Sequence, residues 1–142
     1  MRINKKVEWV CPKGTHQARV VDVNLVQKHE GKNGSIIRVI FQITSLVHPF
    51  KVYQVRETYD HRELNMFVDD FSRLAGEEAV AKVFNMNGEL MPEFLVSLTG
   101  IDVDVEVVHL LNNAYESPFC RAARIAKRGE LTDGFPDPPL AA

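Results

Sequence analysis

Cysteine is scarce in this chain of 142 residues: Cys11 and Cys120 are the only two, far apart and without any Cys-x-x-Cys spacing. That excludes a zinc ribbon or a dithiol redox motif, and in a cytosol both thiols are expected to stay reduced. No apolar run approaches the length that a membrane span needs. The opening residues, MRINKKVEWVCPKG, lack the apolar central segment of a signal peptide, so the expectation is a soluble, cytoplasmic protein with no membrane contact. A large net charge is also missing. The formal value is -2, which at first argues against a nucleic-acid partner.

Recognisable catalytic boxes are absent too. Asp69 and Asp70 are adjacent, and on a helix neighbours diverge by about 100°, so they do not form a paired acid/base site. His61 beside Asp60 belongs to a helix start, and no Ser, His and Asp arrangement or phosphate-cradling glycine loop occurs. A metal nuclease would need clustered carboxylates, which the Asp102, Asp104, Glu106 series supplies only if it faces a cleft. Cys11, His16, His109 and Cys120 converge on a metal only if the first and last strands are neighbours. Without short ligand pairs such residues are more often packing residues. The expectation is a non-enzymatic protein with no catalytic residues, no metal and no cofactor.

What is present is one globular domain's worth of hydrophobic residues, 45% against 25% charged, and a charge that is segregated along the chain. Residues 1–59 hold ten Lys or Arg against four Asp or Glu, residues 60–106 three against eleven, and residues 107–129 four against one. The remainder adds three acids and no base. A ligand responds to local potential, so such separation can create a basic surface despite the net value. The alternative is that these charges simply pair across the surface.

Strand patterns dominate the first sixty residues. GTHQARVVDVNLVQ is rich in β-branched residues and reads as a long first strand from about Thr15 to Gln27. EGKNGS is a hairpin loop, with an Asn-Gly pair between two strand patterns. SIIRVIFQIT is the second strand, with Ile37, Val39, Phe41 and Ile43 on a core face and a mixed outer face. Pro49 makes the next turn, and KVYQVRETY is the third strand. Asp60 then opens a helix through Gly76, with Glu63 three residues on in a capping-box-like start. Leu64, Phe67, Val68, Phe71, Leu74 and Ala75 form one apolar stripe, and EEAVAKVF extends the helix by a turn or two. PEFLVSLTG reads as a short helix with Pro92 in its first turn, or else a strand. IDVDVEVVHL alternates strictly as the fourth strand. FCRAARIAK is a fifth strand or, alternatively, a helix, and residues 130–142 are a mobile tail following a single domain of residues 1–129.

Three strands, a helix, then a final hairpin is the order of the OB-fold, a five-stranded Greek-key barrel with a helix between its third and fourth strands. The competing architecture is a helix packed on an open antiparallel sheet. Gly14-Thr15 opening a long strand, a glycine-rich hairpin at Gly31 to Gly34, a mid-chain helix, and Leu98-Thr99-Gly100 ahead of a valine-rich strand together resemble phage-encoded OB-fold proteins. That group includes single-stranded-DNA-binding proteins and relatives linked to replication or recombination, and the resemblance spans roughly residues 14 to 128. It implies single-stranded DNA as ligand, with RNA not excluded, replication or recombination proteins as partners, a homo-oligomer as one option, and a host cytoplasm as location. The tail TDGFPDPPLAA departs from the densely acidic, aromatic-ended tail of bacterial single-strand-binding proteins.

OB-folds bind single strands across their second and third strands and the flanking hairpin loops. Those places hold Lys28, Lys32, Arg38, Lys51, Tyr53, Arg56 and Tyr59, with Tyr115, Arg121 and Arg124 from the last hairpin. Basic side chains follow phosphates and aromatic faces accept bases. Each has a plainer reading as well. Tyr53 shares parity with Val55 and reads as a core residue with its hydroxyl at the rim. Tyr59 packs against the helix start. Arg121 and Arg124 pair across strands with Asp102, Asp104 and Glu106, and Trp9 is a packing lid. Lys28, Lys32 and Arg38 are the least ambiguous, on loops and an outer strand face. The alternative function is a protein-interaction or assembly module on the same scaffold.

Overall fold

The computed structural model describes residues 11–27, 34–110 and 119–131. β1 (Gly14–Gln27), β2 (Ser35–Ile43) and β3 (Lys51–Glu57) follow one another as antiparallel neighbours. Two helices come next, α1 (His61–Ala75) and the short α2 (Glu77–Ala81), then a 3-10 helix (Pro92–Leu98), β4 (Asp102–Leu110) and β5 (Phe119–Lys127). The strands lie in the order β1-β2-β3-β5-β4, and β4 returns to β1, so the protein is a mainly β structure whose five-stranded sheet closes on itself. FCRAARIAK takes the strand alternative, and PEFLVSL the helical one.

Closure depends on β1 serving two partners. Ala18 to Gln27 pairs with β2, while Gly14 to Arg19 pairs with β4. The register slips between Val20 and Asp22, leaving Val21 as an extra, exposed residue. A bulge bends a strand and switches its parity. Ala18 and Val20 point inward before it and Val23 after it, which is why the alternation of GTHQARVVDVNLVQ is only partial in sequence. At the bend, the Val20 amide donates to Ile101 O at 2.9 Å and the Gly100 amide donates to Val20 O at 2.7 Å. The lead-in to β4 thus satisfies the backbone groups that a bulge would otherwise leave open.

The interior is filled from all sides. Ile37, Val39, Phe41 and Ile43 of β2 are fully buried, as are Val103, Val105 and Val107 of β4 and Val52 of β3. From α1, Phe67 and Phe71 enter the same cluster with ring centroids 4.9 Å apart, so this helix packs its apolar stripe into the core of the closed sheet. Asp60 caps it: its Oδ1 accepts from the Arg62 amide at 2.9 Å and the Glu63 amide at 3.4 Å. The Glu63 carboxylate accepts from the Glu57 amide at 2.8 Å, which ties the start of the helix to the end of β3. Gly76, at φ +99°, ends α1, and the helical continuation expected from EEAVAKVF is a separate short helix across that glycine.

One acidic residue of β4 is not wet as its parity suggests. Asp104 is 0% exposed because the turn after β5 folds over it. The Gly129 amide donates to Asp104 Oδ2 at 2.7 Å, and Arg128 Nε lies 3.6 Å from Asp104 Oδ1. Arg128 also donates to the carbonyls of Ala18 and Val103, and Leu131 is buried. Residues 132–142 lie outside the described residues. Among the described residues no helix is long and apolar enough to cross a membrane.

Candidate nucleic-acid interface

Because 37, 39, 41 and 43 face inward on β2 and 52 and 54 on β3, the even residues of β2 and the odd residues of β3 form the outer surface. The register arranges them in rungs. Asn24, Arg38 and Val55 make one; Asp22, Ile40, Tyr53 and Arg121 the next; Arg19, Gln42 and Lys51 the third. The second rung is the widest, since the single β3–β5 pairing, Tyr53 opposite Arg121, brings the last strand onto this face.

Tyr53 is 38% exposed, at the centre of the rungs. It is not a core residue: parity with Val55 is parity with the outer surface, and the inward position next to it is taken by Val52. Lys51 is exposed and Arg38 and Arg121 are half-buried. Among the described residues, no carboxylate is within ion-pair distance of these three cations, whereas every other arginine of the sheet has one. The face also holds two acids, Asp22, which accepts from Asn24 Nδ2 at 2.7 Å, and Glu57.

Tyr59 stands at the end of the β2–β3 ladder and is 54% exposed. Its ring lies against Gly34, so close that a Cβ built there would be 2.3 Å from Tyr59 Cδ2. Gly34 also has φ +107°, a conformation in which side chains are strained, so two independent requirements select glycine. Tyr59 thus packs against Gly34, just ahead of β2.

Two expected members are elsewhere. Arg56 has the parity of Val52 and Gln54; its side chain is 15% exposed and sits under α1, 3.6 Å from Asp70. Burial pushes the Asp70 carboxyl up, against the opposing pull of Arg56 and of Arg73, which donates to it at 2.7 Å. Arg124 donates to Glu106 at 2.6 Å as a cross-strand ion pair. Arg19 does the same with Asp102 at 2.9 Å, and that hydrogen bond holds the Asp102 carboxyl below its usual range. Lys28, Lys32 and Tyr115 lie outside the described residues.

Cys11, His109 and Cys120 do meet, but the imidazole is turned to a backbone carbonyl, His109 Nε2 to Cys11 O at 2.6 Å. His16 is likewise bound to Pro12 O at 2.8 Å, and among the described residues no group of three His, Cys, Asp or Glu is arranged to hold a metal ion. The sequence places Ile40 and Gln42 on the outer face of β2 without naming them as ligand candidates, and it does not single out Asn24. Their parity opposite the buried run of β2 was the available signal for Ile40 and Gln42; Asn24 is aligned only once the bulge in β1 is known. No family model matches the chain, and no curated protein matches it in sequence.

Proposed function

We propose that this protein is an OB-fold module that binds single-stranded DNA without catalysis, across the outer face of β2 and β3 and the adjoining edge of β5. The strand order, with a helix between the third and fourth strands plugging the closed sheet, is the arrangement on which this reading rests. The observation that carries it is the set Arg38, Lys51 and Arg121 around an exposed Tyr53, three cations without carboxylate partners among the described residues on one continuous surface. A single strand laid over the rungs would place phosphates by these cations and one base on the tyrosine ring, a stack worth about 1–3 kcal/mol. Asp22 and Glu57 on the same face keep the affinity moderate and define the path, since phosphates avoid them. Binding of this kind is tolerant of sequence and weakens as salt rises. By its resemblance to phage-encoded relatives, the role is to protect or present strands in replication or recombination.

The test is fluorescence anisotropy of a labelled oligothymidine titrated with the full chain at low salt. A rise that reverses on adding salt supports the reading, and a flat trace overturns it. A second reading, a protein-interaction module, is favoured by one separate feature. A groove of about 670 Å³ runs along α1 and α2, with Leu64, Val68, Val80, Ala81 and Phe84 among its lining. A complex insensitive to salt and lost on polar substitution of Val68 would favour that reading instead.

A further inference from the structure

Cys11 and Cys120 are separated by 109 residues in the chain but converge on one backbone carbonyl. Cys11 O takes His109 Nε2 at 2.6 Å and has Cys120 Sγ at 3.8 Å. His109 and Cys120 are cross-strand partners on β4 and β5, so the segment ahead of β1 is laid over the rung that joins the last two strands. Cys11 is 1% exposed, with its thiol directed to Pro12 O at 3.6 Å, a weak contact; Cys120 is half-buried and more open to a reagent. Burial raises both thiols, Cys11 to about 11, with the charge of Cys120 adding to the rise at Cys11, so both are mostly protonated at neutral pH and react slowly there. Among the described residues no group of three His, Cys, Asp or Glu is arranged to hold a metal ion.

We propose that Cys11 and Cys120 are a disulfide-forming pair, a thiol modification site whose co-reactant is a small-molecule disulfide. The Cys120 thiolate attacks one sulfur of that disulfide, forming a mixed disulfide and releasing one small thiol. The Cys11 thiolate then attacks Cys120 Sγ and displaces the second small thiol. Two protein thiols are oxidised by two electrons, the small disulfide is reduced to two thiols, and the protein loses two hydrogens. The product ties the lead-in of β1 to the start of β5. In a reducing cytosol the pair remains a dithiol, and the bond forms under oxidative load. His109 is a positioning residue here, since it fixes the Cys11 carbonyl and with it the backbone that presents the thiol. This inference does not depend on nucleic-acid binding.

The experiment is incubation of the full chain, folded, with oxidised glutathione, followed by intact mass, free-thiol titration and non-reducing peptide mapping. The expected result is loss of two hydrogens, disappearance of both free thiols, and a peptide joining Cys11 to Cys120. The midpoint of thermal unfolding should rise by roughly 5 °C or more, because the bond closes a long loop. Cys120→Ser should abolish the crosslink while leaving the fold intact, and Cys11→Ser should stop at a single glutathione adduct on Cys120. Accumulation of glutathione adducts on both cysteines of the unmodified sequence, crosslinking between chains, or thiols that react only after denaturation would each overturn the proposal.

Discussion

Consider replacing Tyr53 or Arg121 by alanine and measuring binding of a labelled oligothymidine between 50 and 200 mM salt. Arg38, Lys51 and Arg121, which have no carboxylate partner among the described residues, border Tyr53, and each phosphate neutralised on a single strand contributes a salt slope of about -0.7. The native slope should then be about -2, a loss of roughly twentyfold in affinity over that range. Arg121→Ala should bring the slope to about -1.4 and weaken binding most at low salt. Tyr53→Ala removes a stacking surface and no charge, so it should cost about 1–3 kcal/mol at every salt concentration and leave the slope unchanged. Arg124→Ala is the internal control, because that guanidinium is held at 2.6 Å by Glu106. Equal effects of Arg121→Ala and Arg124→Ala, or a change of slope with Tyr53→Ala, would refute the assignment of this face.

Three further outcomes test the scaffold. Phe67→Ala opens a cavity where α1 packs into the sheet, and should lower stability by about 3–5 kcal/mol in a urea titration. Gly34→Ala places a methyl group inside the Tyr59 ring and strains φ +107°, so the thermal midpoint should fall and Tyr59 fluorescence should change; an unaffected protein would mean the ring does not rest there. The Cys11 thiol, raised from 9.0 to about 11, holds its proton more tightly folded than unfolded. Its contribution is thus complete below pH 9 and lost as the pH climbs toward 11, about 2–3 kcal/mol in all, a decline that Cys11→Ala should reduce in denaturation curves taken across that window.

The strands and the mid-chain helix were legible because their signals are local. The buried run 37, 39, 41, 43 has period two, and Asp60 with the Phe67 and Phe71 stripe has a cap and period 3.6. What the sequence concealed depended on partners distant along the chain. The side of β3 that faces inward is set by its neighbours: Val52 and Gln54 are buried and Tyr53 and Val55 are not, although both pairs look equally able to be core. The burial of Asp104 required knowing that residues 128–131 return over β4. Likewise, Arg121 and Arg124 are three residues apart with identical chemistry. The slip in register between Glu106 and Val107 aligns Arg124 with a carboxylate and Arg121 with Val108.

That last difference bears on how a chain of net charge -2 could present the proposed basic surface. Acids concentrated in α1 and β4 do not merely balance the bases overall; they select which bases are neutralised. Asp70 engages Arg56 and Arg73, Asp102 engages Arg19, and Glu106 engages Arg124, all on the α1 side or the β4 side of the sheet. β2 has no acid of its own and β3 has only Glu57, at its end. Among the described residues, Arg38 and Lys51 of the β2–β3 surface share their face with the acids Asp22 and Glu57 but make no ion pair with a carboxylate, and the one arginine that β5 adds is the one whose partner across β4 is a valine. Where the pairs are exposed, as Arg19–Asp102 and Arg124–Glu106 are, the energetic effect of this partition on the fold is small. Its effect on local potential is not, because an unpaired guanidinium in a row with a lysine and a tyrosine attracts an anionic chain, and a paired one does not.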